Sequence, residues 1–266
     1  MDAKDRLVVA LDISDLQSAC LRAELLRSQV GMFKIGPRLY TAHGPAAVKE
    51  VQTRGGIFLD LKYHDIPTTV EDASREAVNL RVDMFTVHCL GGTEMMRAAR
   101  RGVKASPWTA PGGRPKVLGA TILTSHDYNS LRRHGLVKGV HDVFDRVNWG
   151  PEDEAQRRFE RSEVISRVIE LAKEARDAGL DGVVVPPDAI RVVQEECGPN
   201  FLIVAVGIRQ PGTNSHDHTS TMTPREAIGA GADYVVAGRP IIESHDPVGV
   251  TRWMIEEIAA AMAERR

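Results

Sequence analysis

The sequence predicts a protein of the α/β class, a single (β/α)8 barrel with an extra segment after the fifth strand. Short apolar runs rich in valine, isoleucine and leucine alternate along the chain with longer stretches of helical periodicity. Eight such pairs fit within 266 residues, which is the size at which parallel strands close into a barrel. No GxGxxG motif follows the first apolar run, which disfavours a dinucleotide-binding open sheet as the alternative.

The predicted strands are short and mostly apolar, as expected of a parallel sheet that is covered on both faces. They are Leu7–Leu11, Met32–Ile35, Ile57–Lys62, Met84–Val87, Lys116–Thr121, Gly182–Val185, Phe201–Val204 and Tyr234–Ala237. The predicted helices are Ser14–Gln29, Gly44–Arg54, Thr68–Leu80, Thr93–Val103, Ser162–Ala178, Asp188–Glu196, Thr223–Ala230 and Pro247–Ala263. We expect Ser14 to cap the first helix, and Thr223, which precedes a proline, to cap the seventh.

Residues 125–160 interrupt the alternation with a polar stretch rich in arginine, histidine and aspartate. The stretch is longer than a plain loop between a strand and a helix. We interpret it as one extra helix or a mobile excursion on the top of the barrel, so that residues 1–266 form one barrel domain.

Composition excludes several classes of partner. The formal net charge is -2 and no long basic or acidic block occurs, so neither nucleic acid nor an anionic membrane is expected as a main partner. No apolar run approaches the roughly 20 residues needed to span a bilayer. The opening residues, with two acids and a short apolar run before Asp12, do not predict a signal peptide. Three cysteines without a CxxC motif fit a reducing compartment, so we expect a cytoplasmic protein.

The densest group of charges lies at the end of the predicted third strand, in the stretch DLKYHDIPTT. Strand alternation places Asp60 and Lys62 on one face. Such a pair is most often a weak surface salt bridge. In a barrel, however, active sites form at the carboxyl ends of the strands, where Lys34 and the loop residue Asp65 are also expected. The sequence therefore predicts a cluster of four charges of alternating sign.

Four such charges, if partly buried together, hold one another in the charged form. Such an array can place a cation where a carbanion develops and an anion beside a leaving group. It is less suited to Schiff-base chemistry, because that chemistry needs a neutral lysine. The two aspartates could instead bind a metal with substrate oxygens. His216 and His218 form an HxH pair, but its position in a loop favours a solvated segment or a substrate contact over zinc. We expect no metal, and we interpret His64 and His88 as structural or hydrogen-bonding residues.

The loops after the seventh and eighth strands predict a phosphate site, because phosphate groups in this fold commonly bind there. Glycine lets the backbone approach an anion, and the N–H groups at a helix start point towards it. Arg209 follows the seventh strand, while Gly238 and Arg239 follow the eighth. The alternative for Arg239 is a surface salt bridge.

Seven segments together resemble the orotidine 5′-phosphate decarboxylase family over roughly Leu7 to Ile242: LDISD, FKIG, FLDLKYHDIPTTV, VHCLGG, LTS, VGIR and DYVVAGRPI. The DxKxxDI-P-T stretch is the most specific of them. The resemblance implies a TIM barrel that decarboxylates orotidine 5′-phosphate to uridine 5′-phosphate, in the last step of de novo pyrimidine synthesis, without a metal or an organic cofactor.

The resemblance also implies a role for each matching residue. Lys62 would stabilise the carbanion and protonate the ring carbon that carried the carboxylate, and Asp60 would lie against the departing carboxylate. Asp12 and Lys34 match residues that hold ribose hydroxyls, and Thr124 matches a residue that contacts the pyrimidine or lies near it. The residues that match phosphate ligands are Arg209, Gly238 and Arg239.

Family members are homodimers with shared active sites, so the resemblance implies that Asp65 enters the partner's site, together with Ile66 and Thr69. One position departs from the family pattern. The glutamine that commonly bridges pyrimidine and phosphate falls at His218 by counting forward from Arg209. Either this histidine takes that role or the loop has a different register.

The sequence leaves two alternatives open. One is a magnesium-dependent hexulose-phosphate synthase or keto-gulonate-phosphate decarboxylase of the same barrel group, which shares the Asp-x-Lys-x-x-Asp core but not the Ile-Pro-Thr-Thr that follows it here. The other is a non-catalytic barrel that binds a phosphorylated ligand. Such a barrel has no need for all four charges of the cluster.

Overall fold

A computed structural model describes residues 1–106, 113–139, 154–211 and 220–265. Eight strands pair in sequence order and close into a parallel barrel, with β8 beside β1. The predicted (β/α)8 fold is therefore confirmed. The strands are β1 (Leu7–Ala10), β2 (Met32–Ile35), β3 (Gly56–Tyr63), β4 (Met84–His88), β5 (Lys116–Ala120), β6 (Gly182–Val185), β7 (Leu202–Ala205) and β8 (Tyr234–Ala237).

Helices alternate with the strands around the outside of the barrel. In the part of the chain that the structure describes they are α1 (Leu16–Leu26), α2 (Pro37–His43), α3 (Pro45–Gln52), α4 (Pro67–Asn79), α5 (Gly92–Ala105), α6 (Tyr128–Arg133), α7 (Glu154–Asp177), α8 (Ile190–Cys197), α9 (Pro224–Ala230), α10 (Arg239–Ile242) and α11 (Pro247–Glu264). None of these helices is both long and apolar enough to cross a membrane.

The helix boundaries correct the sequence prediction in two places. The cap of α1 is Asp15 and not Ser14, because the Asp15 carboxylate accepts a hydrogen bond from the backbone N–H of Ser18 at 2.7 Å. The helix α2 was not predicted. It begins at Pro37, directly after Gly36. A Gly-Pro pair is typical of a turn, but proline is also well suited to the first position of a helix, and that is the role it has here.

The cap of α9 and the extra segment agree with the prediction. Thr223 Oγ1 accepts from the N–H of Glu226, and the Glu226 carboxylate accepts from the N–H of Thr223, which completes a capping box.

After β5, the extra helix α6 precedes α7, which begins eight residues earlier than the predicted Ser162. Residues 140–153 of this segment lie outside the described residues.

Alternation along the strands divides the core into two layers. On β1, Val8 packs in the barrel interior while Leu7 packs in the layer between sheet and helices. The interior layer consists of Val8, Ala10, Met32, Phe58, Met84, Leu118, Val184, Val204 and Val236. Two residues further along their strands, the same face carries Asp12, Lys34 and Asp60. The polar site is thus the next layer above the apolar filling of the barrel.

An aspartate stands directly before each of β4, β6 and β8, at the opposite end of the barrel from the site. Its carboxylate accepts a hydrogen bond from a backbone N–H of the preceding strand: Asp83 from Ile57 at 2.7 Å, Asp181 from Val117 at 2.8 Å and Asp233 from Ile203 at 2.9 Å. The equivalent position before β2 is Gly31, where an added Cβ would lie 2.7 Å from the backbone of Asp5. These contacts fix the amino ends of the strands.

Candidate active site

The carboxyl ends of the strands surround a cavity of about 320 Å³. The predicted site residues that line it are Asp12, Lys34, Asp60, Lys62, Thr124, Arg209, Gly238 and Arg239. The same cavity has an apolar wall, formed by Ile122, Leu123, Val184 and Val206. The barrel therefore brings together residues that are more than 200 positions apart in the chain, because neighbouring strand ends meet at one rim.

Four charged side chains form a continuous row along one side of this cavity. Lys34 Nζ lies 3.3 Å from Asp12 Oδ1 and 3.4 Å from Asp60 Oδ2. The other carboxylate oxygen of Asp60 accepts a hydrogen bond from Lys62 Nζ at 2.8 Å. The signs alternate along the row, so each inner charge has an opposite charge on both sides. Asp60 and Lys62 share a face, as the strand alternation predicted.

The two inner members of the row are buried, with Lys34 8% and Asp60 7% exposed. Burial disfavours the carboxylate of Asp60, but the charges of Lys34 and Lys62 outweigh it, so the pKa of Asp60 is lowered. Burial likewise disfavours the Lys34 ammonium, but Asp60 and Asp12 outweigh it and raise the pKa of Lys34. Both groups therefore stay charged at neutral pH inside a largely desolvated site.

Strand β3 is irregular where it carries the reactive charges. Leu59 pairs with Phe85 and Tyr63 pairs with Val87, so four steps on β3 match two steps on β4. Within this bulge Lys62 has a φ of 51°, a left-handed conformation that non-glycine residues rarely adopt. Strain of this kind is concentrated at functional sites.

Thr86 on β4 is a site residue that the sequence analysis missed. Its side chain is 0% exposed, and its hydroxyl donates to Asp60 Oδ1 at 2.9 Å while accepting from the backbone N–H of Lys62 at 2.8 Å. The period of two could have found it, because Met84 lies in the barrel interior and Thr86 follows on the same face.

The two predicted phosphate-binding arginines line the same cavity. Arg209 is only 5% exposed, and its backbone N–H donates to the carbonyl oxygen of Met222 at 3.0 Å. Arg239 begins α10, directly after Gly238. Guanidinium groups are suited to phosphate oxygens, and both line the same cavity as the charged row.

Three predicted site residues lie away from this cavity. Asp65, Ile66 and Thr69 are exposed, and Ile66 is exposed to 64% although it is apolar. Asp65 Oδ1 accepts a hydrogen bond from the backbone N–H of Ile66 at 2.6 Å. Within one chain these residues do not complete the site. The predicted residue His218, with His216, lies outside the described residues.

Two histidines pack beside the bulge of β3. The rings of His64 and His88 stack with centroids 5.3 Å apart, and His88 Nδ1 accepts from the backbone N–H of Leu90 at 3.3 Å. Burial, followed by the charges of His64 and Lys62, lowers the pKa of His88 to about 4. His88 is therefore neutral at pH 7. Among residues 1–106, 113–139, 154–211 and 220–265, no group of three or more histidine, cysteine and acidic side chains is arranged to hold a metal ion.

Comparison with known proteins shows the family of this chain. The family model described as "Orotidine 5'-phosphate decarboxylase / HUMPS family" matches residues 5–147 and 143–253. The chain belongs to this family. A relative from Geobacter sulfurreducens, named orotidine 5′-phosphate decarboxylase, is 43% identical over 260 residues, which cover 97% of this chain and 98% of the relative. One of the same name from Moorella thermoacetica is 42% identical over 259 residues, covering 97% and 94% of the two chains.

Two solved structures have the same fold as this chain. A crystal structure of orotidine 5′-phosphate decarboxylase from Lactobacillus acidophilus superposes with a TM-score of 0.74 at 30% identity, and the match covers 96% of this chain and 99% of that one. A crystal structure of a conserved protein from Geobacillus kaustophilus gives a TM-score of 0.72 at 30% identity. These matches confirm the resemblance that the sequence motifs indicated.

Proposed function

We propose that this chain is a carboxy-lyase that converts orotidine 5′-phosphate to uridine 5′-phosphate in pyrimidine biosynthesis. The observation that carries the proposal is the row of alternating charges with its two buried inner members, in one cavity with two arginines. Membership of the family and relatives about 40% identical over nearly the whole chain support it.

The row supplies what the reaction needs. Decarboxylation breaks the bond between the ring carbon and its carboxylate, carbon dioxide leaves, and the electron pair remains on the ring carbon. The Lys62 ammonium stabilises this carbanion and then donates its proton to the same carbon. Asp60, already ionised and 2.8 Å from Lys62 Nζ, lies beside the departing carboxylate and favours its loss through like-charge repulsion. Solvent afterwards returns a proton to Lys62.

The remaining residues hold the nucleotide in place. In this proposal Asp12 and Lys34 bind ribose hydroxyls, and Thr124 contacts the pyrimidine. Arg209, Arg239 and the backbone at Gly238 bind the phosphate. The apolar wall around Ile122 and Val184 accommodates the ring and excludes water from the carbanion. Substrate binding through the distant phosphate then contributes to catalysis at the ring.

We further propose a homodimer in which each subunit lends Asp65, Ile66 and Thr69 to the site of its partner. The exposure of these residues in one chain, especially of Ile66, supports this arrangement. His218 is proposed to take the place of the glutamine that commonly bridges pyrimidine and phosphate in the family. We regard residues 1–266 as one domain without a cofactor. A reducing, cytoplasmic setting fits the three cysteines, which form no disulfide.

Replacement of Lys62 tests the proposed activity. Conversion of orotidine 5′-phosphate is followed by the change in ultraviolet absorbance of the ring, with the wild type, Lys62→Ala and the control Lys49→Ala, which alters an exposed lysine on α3. We expect turnover by the wild type and the control, and a loss of at least about 1,000-fold for Lys62→Ala because the proton donor is gone. An inactive wild type would contradict the function, and an active Lys62→Ala would contradict the mechanism.

A further inference from the structure

The hydroxyl of Thr86 is bonded to both of the residues that face the scissile bond in the proposed reaction. It accepts a hydrogen bond from the backbone N–H of Lys62 at 2.8 Å and donates one to Asp60 Oδ1 at 2.9 Å. The same Asp60 oxygen accepts from Lys62 Nζ at 2.8 Å. Thr86, Asp60 and Lys62 thus form a closed ring of three hydrogen bonds that includes both the main chain and the side chain of the lysine.

The bulge of β3 explains why the Lys62 main chain needs a partner from a side chain. Between Leu59 and Tyr63 the regular pairing of β3 with β4 is interrupted. A backbone N–H in such a gap loses its partner in the strand ladder, and an unsatisfied N–H inside a protein is costly. The Thr86 hydroxyl provides the missing acceptor at the residue whose φ is 51°.

Threonine is well matched to this position because a hydroxyl both accepts and donates. The Lys62 N–H can only donate, so the hydroxyl proton of Thr86 is left for the carboxylate of Asp60. The two partners, the Lys62 N–H and the Asp60 carboxylate, therefore fix the direction of the Thr86 O–H bond. A side chain with complete burial and restricted rotation about χ1 also gives the ring a rigid support from β4.

We propose that Thr86 is a positioning residue that holds Lys62 and Asp60 in their reactive arrangement. It acts by fixing the left-handed backbone of Lys62 and the rotamer of Asp60 through one hydroxyl group. The inference rests on the proposed decarboxylation, and it adds a residue on β4 to a charged row whose members lie after β1 and on β2 and β3. Thr86 itself is not among the residues that line the cavity within the described part of the chain.

The test compares Thr86→Val, which preserves shape but removes both hydrogen bonds, with Thr86→Ser, which keeps the hydroxyl. The matched control is Thr251→Val on α11. Thr251 is also 0% exposed, and its buried hydroxyl has no hydrogen-bond partner among the described residues. If Thr86→Val does not fold, Thr86→Cys is used, because the thiol has similar bulk and forms only weak hydrogen bonds.

We expect kcat to fall about 10- to 100-fold in Thr86→Val or Thr86→Cys, since each loses a hydrogen bond to a charged group and a backbone constraint. KM should change less than about threefold, because the phosphate and ribose contacts remain. Thr86→Ser should recover kcat to within about threefold of the wild type, and Thr251→Val should match the wild type.

A second measurement does not depend on turnover. Hydrogen–deuterium exchange of the backbone segment containing Lys62 should become faster in Thr86→Val than in the wild type, and should be unchanged in Thr251→Val. A Thr86→Val protein with wild-type kcat and unchanged exchange at Lys62 would overturn the inference. Equal losses of kcat in Thr86→Val and Thr251→Val would also overturn it, because they would indicate general destabilisation. An inactive wild type would instead refute the proposed function.

Discussion

Replacement of Arg239 by alanine separates recognition of the phosphate from the chemistry at the ring. Arg239 lines the same cavity as Lys62 and is half-buried. It is a cleaner target than Arg209, which is 5% exposed and donates through Nη1 to the carbonyl oxygen of Ile208 at 2.8 Å. Removal of Arg209 would therefore disturb the β7 loop as well as the charge.

The burial of Arg239 sets the size of the effect. An exposed ion pair contributes about 0–1 kcal/mol, whereas a hydrogen bond to a charged group contributes about 1.5–3 kcal/mol. A half-buried guanidinium that binds a phosphate in a cavity is comparable to a hydrogen bond to a charged group, and not to an exposed ion pair. The loss in kcat/KM for orotidine 5′-phosphate should therefore be about 10- to 100-fold.

The assay compares two substrates, orotidine 5′-phosphate and orotidine without its phosphate. For Arg239→Ala we expect the 10- to 100-fold loss only with the nucleotide, and a change within about threefold with the nucleoside. The control is Arg252→Ala, which alters an exposed arginine on α11 and should leave both values unchanged. Equal losses for both substrates would refute the assignment of Arg239 to the phosphate.

Two further predictions concern the dimer and the charged row. Lys62→Ala and Asp65→Ala should each be inactive. When the two variants are refolded together in equal amounts, half of the dimers contain one variant of each kind, and one of the two sites in such a dimer is intact. About a quarter of wild-type activity should therefore return, and no recovery would contradict shared sites. The pair of Asp60 and Lys34 should stabilise the wild type over Asp60→Asn by a constant amount from about pH 5 to 9. Because the pKa of Asp60 is lowered and that of Lys34 is raised, this difference in unfolding free energy should shrink as pH falls below about 4 or rises above about 10. Denaturant unfolding at several pH values measures it, and a decline already between pH 5 and 7 would contradict the pKa directions.

Much of the barrel could be predicted because its pattern is local. Each strand is a short apolar run, and the period of two identifies the inward face along which Val8 is followed by Asp12. The eightfold alternation then places all strand ends at one rim. This is why Lys34, Asp60 and Arg209 could be assigned to one site although they are distant in the chain.

Other features depend on contacts that are absent from local sequence. The left-handed φ of Lys62 arises where β3 slips against β4, and no glycine or asparagine marks that position. Thr86 acquires its role only because the slip leaves the Lys62 N–H facing it. The α1 cap was misplaced by one residue because Ser14 and Asp15 are both good caps, and the tertiary path of the chain decides between them.

Lys62 and Asp65 are only three residues apart in the sequence, but their side chains have different surroundings in a single chain. Lys62 points into the cavity, whereas Asp65, Ile66 and Thr69 are exposed. The turn at the end of β3 thus divides one continuous motif between two environments. The stretch DLKYHDIPTT lies within residues 5–147, which the family model matches, and its second half is explained in our proposal by a partner subunit.

The central claim is that Lys62 protonates a carbanion formed without the help of a metal. The most direct test is one reaction of orotidine 5′-phosphate with the purified protein in deuterium oxide, with excess chelator, in which carbon dioxide and uridine 5′-phosphate are both counted. We predict one carbon dioxide for each uridine 5′-phosphate, one deuterium at the ring carbon that carried the carboxylate, an unchanged rate with chelator, and a rate at least about 1,000-fold lower with Lys62→Ala. A large loss of rate on chelation that magnesium restores would contradict the account and place the chain with the magnesium-dependent enzymes of the same barrel group.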